Sequence, residues 1–422
     1  NITATFDIIY LLICSYPLVL YRRMYMIANR LFKKNKNKTI ELLQDYFLTF
    51  LFYIFRIFPI QKNKIVVSCF KNRGFCDSPK YIILKLLETD TSLNIVWLCD
   101  YENPIDMPAC IKQIPYHSFR GIYEQVTAAI WISNRRKSRY VRKRKHQYYI
   151  QTWHGGIRLK NTERAAENVL TKRYIASAKN DAEMTDLFLS NSNFSSQIIR
   201  RDMWYRGSIL QKGLPRTDIL LNGDVRAITE KVKIRLGISN NHRILLYAPT
   251  FRSDFKTDKY NLPMQKVVDT LTRATNMNWD IVIHLHTNIN SHMYLPEKIN
   301  NVIDASAYED VQELLIASDM LISDYSSIIF DFALLNKPII QYCPDIKEYL
   351  NDRGFNQNFD ELPFYVSYSQ KDVTETIITA FTSKRNDTYK WMINKYGLTE
   401  SGRASKYVSQ IILQKLERRG SI

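Results

Sequence analysis

Short apolar runs rich in β-branched residues recur along this chain, with helical patterns between them. The runs fall at 64–70, 93–99, 128–133, 148–152, 186–190, 243–248, 279–286, 319–323 and 338–342. Amphipathic stretches at 79–88, 263–275 and 311–317 separate several of them. Strands alternating with helices build parallel sheets that helices cover on both faces. The runs are too many for one ordinary sheet, and 422 residues suffice for two or three domains. The polar stretch 221–242 lies near mid-chain and reads as a connection between two lobes.

Charge sets the second constraint. Lys and Arg number 59 against 41 Asp and Glu, a formal net charge of +18. That excess calls for an acidic partner: nucleic acid, an anionic membrane surface or a phosphate-rich substrate. Two basic runs carry much of it. The first follows an apolar stretch, 8–21, that is short for a membrane span and is broken by Pro17. Arg22, Arg23, Arg30, Lys33, Lys34, Lys36 and Lys38 come next, with apolar and aromatic residues among them and no acid before Glu41. Such a segment suits a membrane interface beside anionic headgroups. A second apolar run, 46–60, has only Arg56 charged. Both runs read equally as core helices of the first domain. The positive charge follows the apolar run and no small-residue cleavage site is evident, which argues against a signal peptide. The chain begins at Asn1 rather than Met, as expected of a trimmed chain or a piece of a longer one.

The second basic run, 135–146, lies between two strand-like segments. It reads as a solvated loop, dense enough to meet lipid phosphates, a polyanionic acceptor or RNA. No aromatic nucleic-acid signature accompanies it, so no nucleic-acid partner is expected. The cysteines (Cys14, Cys69, Cys76, Cys99, Cys110, Cys343) form no CxxC pair and read as reduced core residues.

The segment 323–332, Ser-Asp-Tyr-Ser-Ser-Ile-Ile-Phe-Asp-Phe, places Asp324, Ser326 and Ser327 where a strand passes into a helix. Unpaired N–H groups and the positive end of the helix dipole make that place an anion site. Four other clusters sit at strand ends. In Gln151-Thr152-Trp153-His154-Gly155-Gly156, a histidine precedes two glycines that let a substrate approach closely, and Arg158 and Lys160 follow as phosphate ligands. Gly213-Leu214-Pro215-Arg216-Thr217-Asp218 is a turn with an arginine, and Tyr247-Ala248-Pro249-Thr250-Phe251-Arg252 ends a strand with another. In the run ending at His286, alternation puts His284 and His286 on one face. That pair has the spacing of a metal site, with Asp324 as a third ligand. The Thr, Asn and Ser residues around it are hydrogen-bonding rather than carboxylate-rich, so no metal is expected.

These five motifs, in this order, resemble the CDP-glycerol glycerophosphotransferase family, the teichoic acid primases and polymerases. The resemblance runs from about Ile65 to about Tyr349 and takes in the loop from Phe70 through Ser78-Pro79-Lys80-Tyr81. Two departures stand out. The family usually has one glycine before Thr or Ser after the histidine, where this chain has Gly155-Gly156-Ile157. It often has Arg where this chain has His284. Both positions bear on which polyol phosphate is accepted.

The resemblance implies a GT-B-like fold of two Rossmann-like lobes with the active site in the cleft between them. The expected division is a membrane-associating segment at 1–60, an acceptor lobe at 61–225 and a nucleotide-donor lobe at 226–422, with the last helix packing back on the first lobe. It implies attack of an acceptor hydroxyl on the β-phosphorus of CDP-glycerol or CDP-ribitol, with CMP leaving. His154 would be the base and His286 would face it from the second lobe, stabilising the diphosphate or the leaving CMP. Ser326 and Ser327 would bind the donor phosphates beside Asp324, with Gly155, Lys160, Arg216 and Arg252 in support. No tightly bound cofactor is expected, and a divalent cation has no clear site. The acceptor would be a polyprenyl-diphosphate-linked saccharide or polyol-phosphate polymer at the cytoplasmic face of a bacterial membrane, with the 135–146 run tracking the polymer. The rival readings are a GT-B glycosyltransferase using a nucleotide sugar and a non-catalytic binder of polyanions or membranes.

Overall fold

The computed structural model describes residues 38–70, 74–99, 105–250, 252, 261–285, 299–352, 354–383 and 387–418. In it the apolar runs pair into two separate parallel sheets. The first comprises β1 (Gln61–Ser68), β2 (Asn94–Cys99), β3 (Lys112–Pro115), β4 (Ala128–Ser133), β5 (Tyr148–Gln151), β6 (Leu187–Ser190) and β7 (Ser208–Gln211). Its spatial order is β3-β2-β1-β4-β5-β6-β7. The second comprises β8 (Arg243–Ala248), β9 (Trp279–Ile283), β10 (Val302–Asp304), β11 (Met320–Ser323), β12 (Ile339–Tyr342) and β13 (Tyr365–Ser367), in the order β10-β9-β8-β11-β12-β13. Each sheet runs outward in one direction and then reverses, between β1 and β4 in the first and between β8 and β11 in the second. This is the doubly wound order of dinucleotide-binding folds, and the reversal is where such sheets open a crevice for ligand. The expected pair of Rossmann-like lobes is therefore present.

Burial on both faces explains the continuous apolar runs. In β1, Ile65 and Val67 pack with Ile82 and Leu86 on one side, while Val66 packs with Phe52 and Trp131 on the other. The edge strands β3, β7, β10 and β13 are three or four residues long and partly exposed, so they carry no such run and escape the sequence reading. Strand β9 stops at Ile283 rather than running to 286. The His284 N–H still donates to Tyr247 O at 3.0 Å, but Leu285 N turns to Ser306 Oγ at 3.1 Å. His286 lies outside the described residues.

One further expectation changes. The polar stretch 221–242 holds a helix, Val225–Leu236, capped by the Asp224 side chain and ended by Gly237 in the left-handed region. It packs on the helix Val311–Ala317 and so belongs to the second lobe rather than being an open connection. The last helix, Ala404–Glu417, sets Val408 and Ile412 into the first lobe's core beside Ile82 and Leu86. The run 46–60 lies mostly in the helix Lys38–Ile54, which buries Leu48 and Phe52. Leu43, Tyr46, Phe50 and Tyr53 recur at helical spacing on its exposed face, and Ile57 in the turn that follows is exposed as well. The segment 8–37 lies outside the described residues, and no described helix is long and apolar enough to cross a membrane. Cys69, Cys76, Cys99 and Cys343 are buried free thiols, Cys110 is exposed, and Cys14 is not among the described residues.

The basic run 135–146 is not a solvated loop. Arg136 pairs with Glu163 at 2.9 Å and Asp181 at 3.1 Å, Lys143 pairs with Asp186, and Arg144 donates to Phe58 O at 2.7 Å. Lys137 is buried, donates to Ser68 Oγ at 2.8 Å and lies among the rings of Tyr116, Trp131 and Tyr149. Burial pushes its ammonium down to about 8. Only Lys145 and His146 of the run are exposed. Arg136, Arg139 and Lys143 are paired with carboxylates and Lys137 is buried, which leaves less of this loop as a surface for a polyanion. Asp181 is fully buried and accepts from Lys137 N, Tyr149 OH and Arg136. Its replacement by Ala strands buried cations, so Asp181→Ala is expected to destabilise the protein by about 3–5 kcal/mol. Urea unfolding at neutral pH checks this.

Candidate functional site

Both switch points are closed by the same device. The side chain of Asn134, just past β4, accepts the Phe70 N–H from the end of β1 at 3.1 Å. In the second lobe Asp324, just past β11, accepts Thr250 N from the end of β8 at 2.9 Å through both oxygens. Each side chain fixes a loop at the mouth of its crevice.

His154 leaves the neighbouring strand β5 through a strained turn. Trp153 has φ +53°, a region that large side chains rarely occupy, and its ring stacks on the imidazole at 4.6 Å. The imidazole Nδ1 lies 2.9 Å from Asn134 O. A carbonyl only accepts, so Nδ1 carries the proton and Nε2 keeps its lone pair. The ring is partly exposed but packed round by protein. Burial is the main force pushing its pKa down to about 3; the Asn134 bond opposes this, and Arg135, Arg158 and Arg216 add to it. The histidine is therefore neutral at pH 7, in the tautomer a base needs.

The next residue reaches the other lobe. A Cβ on Gly155 would sit 3.1 Å from Ser327 Oγ, so the His-Gly motif of one lobe abuts the Ser-Ser motif of the other. Ser327 occupies the N-cap of the short helix Ile328–Phe332 but makes no side-chain cap bond; Ser326 Oγ accepts Ile328 N at 3.4 Å instead. Beyond Gly156 the chain plunges into the second lobe, where Ile157 and Leu159 join the core around Tyr325 and Phe332. Lys160 pairs there as an isolated bridge with Phe355, and its carbonyl accepts from Asn356 at 2.6 Å.

The arginines serve the fold. Arg252 grips Asp345 with two bonds of 2.6 and 3.1 Å, meets Asp324 at 2.9 Å and lies over the stacked rings of Tyr325 and Tyr349. Arg216 is buried and donates to His154 O at 3.0 Å and to Asp331, with Asp77 at 3.7 Å. Burial alone would lower its pKa, but Asp331 and Asp77 raise it, so it stays charged. Both guanidiniums lie against protein carboxylates. Asp324 is likewise committed to Thr250 N, Tyr325 N and Arg252. Among the described residues no group of three His, Cys, Asp or Glu converges as a metal site. His284 faces Tyr308 O at 3.3 Å.

Sequence reasoning passed over Asn134, Asp77 and Glu400. Their roles depend on partners far along the chain: Glu400 meets Thr217 across 183 positions. Glu400 is buried beneath the turn that carries Arg216 and accepts Leu214 N at 3.1 Å. Gly213 (φ +93°) must be glycine, because a Cβ there would lie 2.5 Å from Glu400 Oε2. Thr217 Oγ1 lies 2.7 Å from both Leu214 O and Glu400 Oε2. Burial pushes that carboxyl from its ordinary 4.5 up to about 8. The folded chain thus holds a proton that the unfolded chain releases. The stability this proton supplies is full below about 4.5 and is lost as the pH rises through about 8. Glu400→Gln keeps the shape without the titration. It is expected to raise the urea midpoint relative to wild type at pH 8 and to leave little difference at pH 4.5. Unfolding curves at the two pH values check it.

A family model described as CDP-Glycerol:Poly(glycerophosphate) glycerophosphotransferase matches residues 50–414. The teichoic acid poly(glycerol phosphate) polymerase of Bacillus subtilis (strain 168) is 28% identical over 372 residues, covering 84% of this chain and 49% of that protein. The chain thus spans about half the length of that relative. The enzyme of the same name from Bacillus spizizenii is 27% identical over 374 residues, covering 86% of this chain and 95% of that one. A solved structure of the wall teichoic acid polymerase TagF superposes with a TM-score of 0.78 at 24% identity, covering 96% of this chain and 99% of that one.

Proposed function

This chain belongs to the CDP-glycerol:poly(glycerophosphate) glycerophosphotransferase family, and we propose that it transfers a polyol phosphate from a CDP-polyol to an acceptor hydroxyl. The observation that carries this reading is the meeting of the two motifs: His154-Gly155 from one switch point stands against Ser327 from the other. A base from the first lobe and hydroxyls suited to donor phosphates from the second then face one cleft.

In the proposed reaction the acceptor oxygen bonds to the β-phosphorus of CDP-glycerol or CDP-ribitol. The bond from that phosphorus to the bridging oxygen breaks, and CMP leaves with the electron pair. His154 Nε2 takes the acceptor's proton, its lone pair left free by the Nδ1 bond to Asn134 O. Ser326 and Ser327 donate to the donor phosphates, and His286 stabilises the diphosphate or departing CMP. The cations that depress His154 supply a positive field where phosphate charge is spread. Arg216, Arg252 and Asp324 shape the site without touching substrate.

His154→Ala is expected to cost about 10²–10⁴ in turnover while the donor still binds. Steady-state CMP release and calorimetry with CDP-glycerol and CDP-ribitol check it; wild-type turnover in the folded variant would exclude His154 as the base. Because the free-enzyme histidine stays neutral down to about 3, kcat/KM should not fall as the pH drops through the range around the ordinary histidine value of about 6.5. An acid limb in that range that disappears in His154→Ala would contradict the assigned environment.

We place the enzyme at the cytoplasmic face of a bacterial membrane, acting on a polyprenyl-diphosphate-linked saccharide or polyol-phosphate polymer. The exposed stripe Leu43, Tyr46, Phe50 and Tyr53 supports this, since the cation-rich stretch 22–38 leads directly into it. Replacing Leu43 and Phe50 by Glu should release the full chain from sedimenting anionic vesicles while leaving turnover on a soluble acceptor analogue intact. Unchanged sedimentation would move the membrane contact elsewhere.

A further inference from the structure

We infer that Arg216 and Asp331 are positioning residues that tie the histidine of the first lobe to the phosphate-facing helix of the second. The inference rests on His154 acting as the base. Arg216 sits in the turn Pro215–Thr217 and uses its two terminal nitrogens differently. Nη1 donates to the backbone carbonyl of His154 at 3.0 Å, and Nη2 donates to Asp331. Asp331 lies in the helix Ile328–Phe332, the same short helix that begins at Ser327. One planar guanidinium therefore spans from the residue carrying the imidazole to the element carrying the donor-site hydroxyls.

The surroundings leave this link little freedom. Arg216, Asp331 and Asp77 are all buried. Asp331 takes a second bond from Gln312 Nε2 at 3.2 Å, and Arg216 N donates to Ser78 Oγ at 3.4 Å. Asp77 stands 3.7 Å from Nη1 and accepts Asn134 Nδ2 at 2.6 Å. Asn134 is the residue whose carbonyl fixes the imidazole tautomer. His154 is thus held from both sides by one connected set: its ring through Asn134, and its backbone through Arg216. Movement of the second lobe that pulls on Asp331 acts on the His154 carbonyl through the guanidinium. A guanidinium makes this link because its two nitrogens are fixed in one plane, which a lysine cannot imitate.

The test combines turnover with a double-mutant cycle. Asp331→Asn should lower kcat by about 10²-fold, the scale expected for a reacting group displaced by about 1 Å. Donor affinity by calorimetry should stay within about twofold, because Asp331 is not placed on the substrate. In a His154→Ala background the same change should alter the residual turnover by less than about twofold, since the group it positions is gone. Gln312→Met, which keeps volume and removes one donor to Asp331, gives the same split between kcat and donor affinity if Asp331→Asn does not fold. Unchanged kcat in a folded Asp331→Asn or Gln312→Met variant overturns the inference. So does an equal loss with and without His154. Wild-type turnover in His154→Ala would instead overturn the assignment of the base. An inactive His154→Ala beside a fully active Asp331→Asn would defeat the coupling alone.

Discussion

The buried guanidinium of Arg216 joins two sheets that otherwise fold around separate cores. It is charged, enclosed and balanced by Asp331 from one lobe and Asp77 from the other. Breaking such a set by removing one partner costs more than its net contribution, because the remaining charge stays buried. The cost makes the interlobe geometry specific: a displaced second lobe would leave Arg216 and Asp331 unpaired. The crossing of Ile157 and Leu159 into the second core, and the Lys80–Asp310 pair at 2.6 Å, reinforce the same arrangement.

The two doubly wound sheets supply the rest by symmetry of construction. In each, strand order reverses once, and an Asx side chain at the reversal pins the neighbouring loop. The first lobe adds the strained Trp153 turn and a neutral imidazole; the second adds hydroxyls at the start of a short helix. Neither half is complete alone. The net charge of +18 is also divided unevenly by environment. Arg136, Lys137, Arg139 and Lys143 are paired or buried within the first lobe, so attraction to acidic partners draws less on this loop than its sequence suggests.

The buried strands could be read from the sequence because burial on both faces demands unbroken apolar runs. Strands β3, β7, β10 and β13 could not, since edges meet solvent and carry residues such as Lys112 and Gln113. The His154-Gly155 and Ser326-Ser327 motifs were legible as strand-end features, and their resemblance to one family was carried by motif order. The surroundings of the cations were not legible. Arg216, Arg252 and the 135–146 run look available in one dimension. Their partners, Asp331, Asp345, Glu163 and Asp181, are brought by the fold from distant segments. Glu400 was invisible for the same reason: nothing local marks a carboxyl that will be buried under a turn on another part of the chain.

The proposed reaction is phosphoryl transfer across the cleft, with the donor cut between its β-phosphorus and the bridging oxygen. A donor carrying a radioactive label at the β-phosphorus tests it directly. With purified protein and an acceptor analogue, the label should move to the acceptor while unlabelled CMP accumulates. Label retained on the nucleotide, released as CDP with the polyol transferred alone, would exclude phosphoryl transfer and point to glycosyltransferase-type chemistry on the same fold.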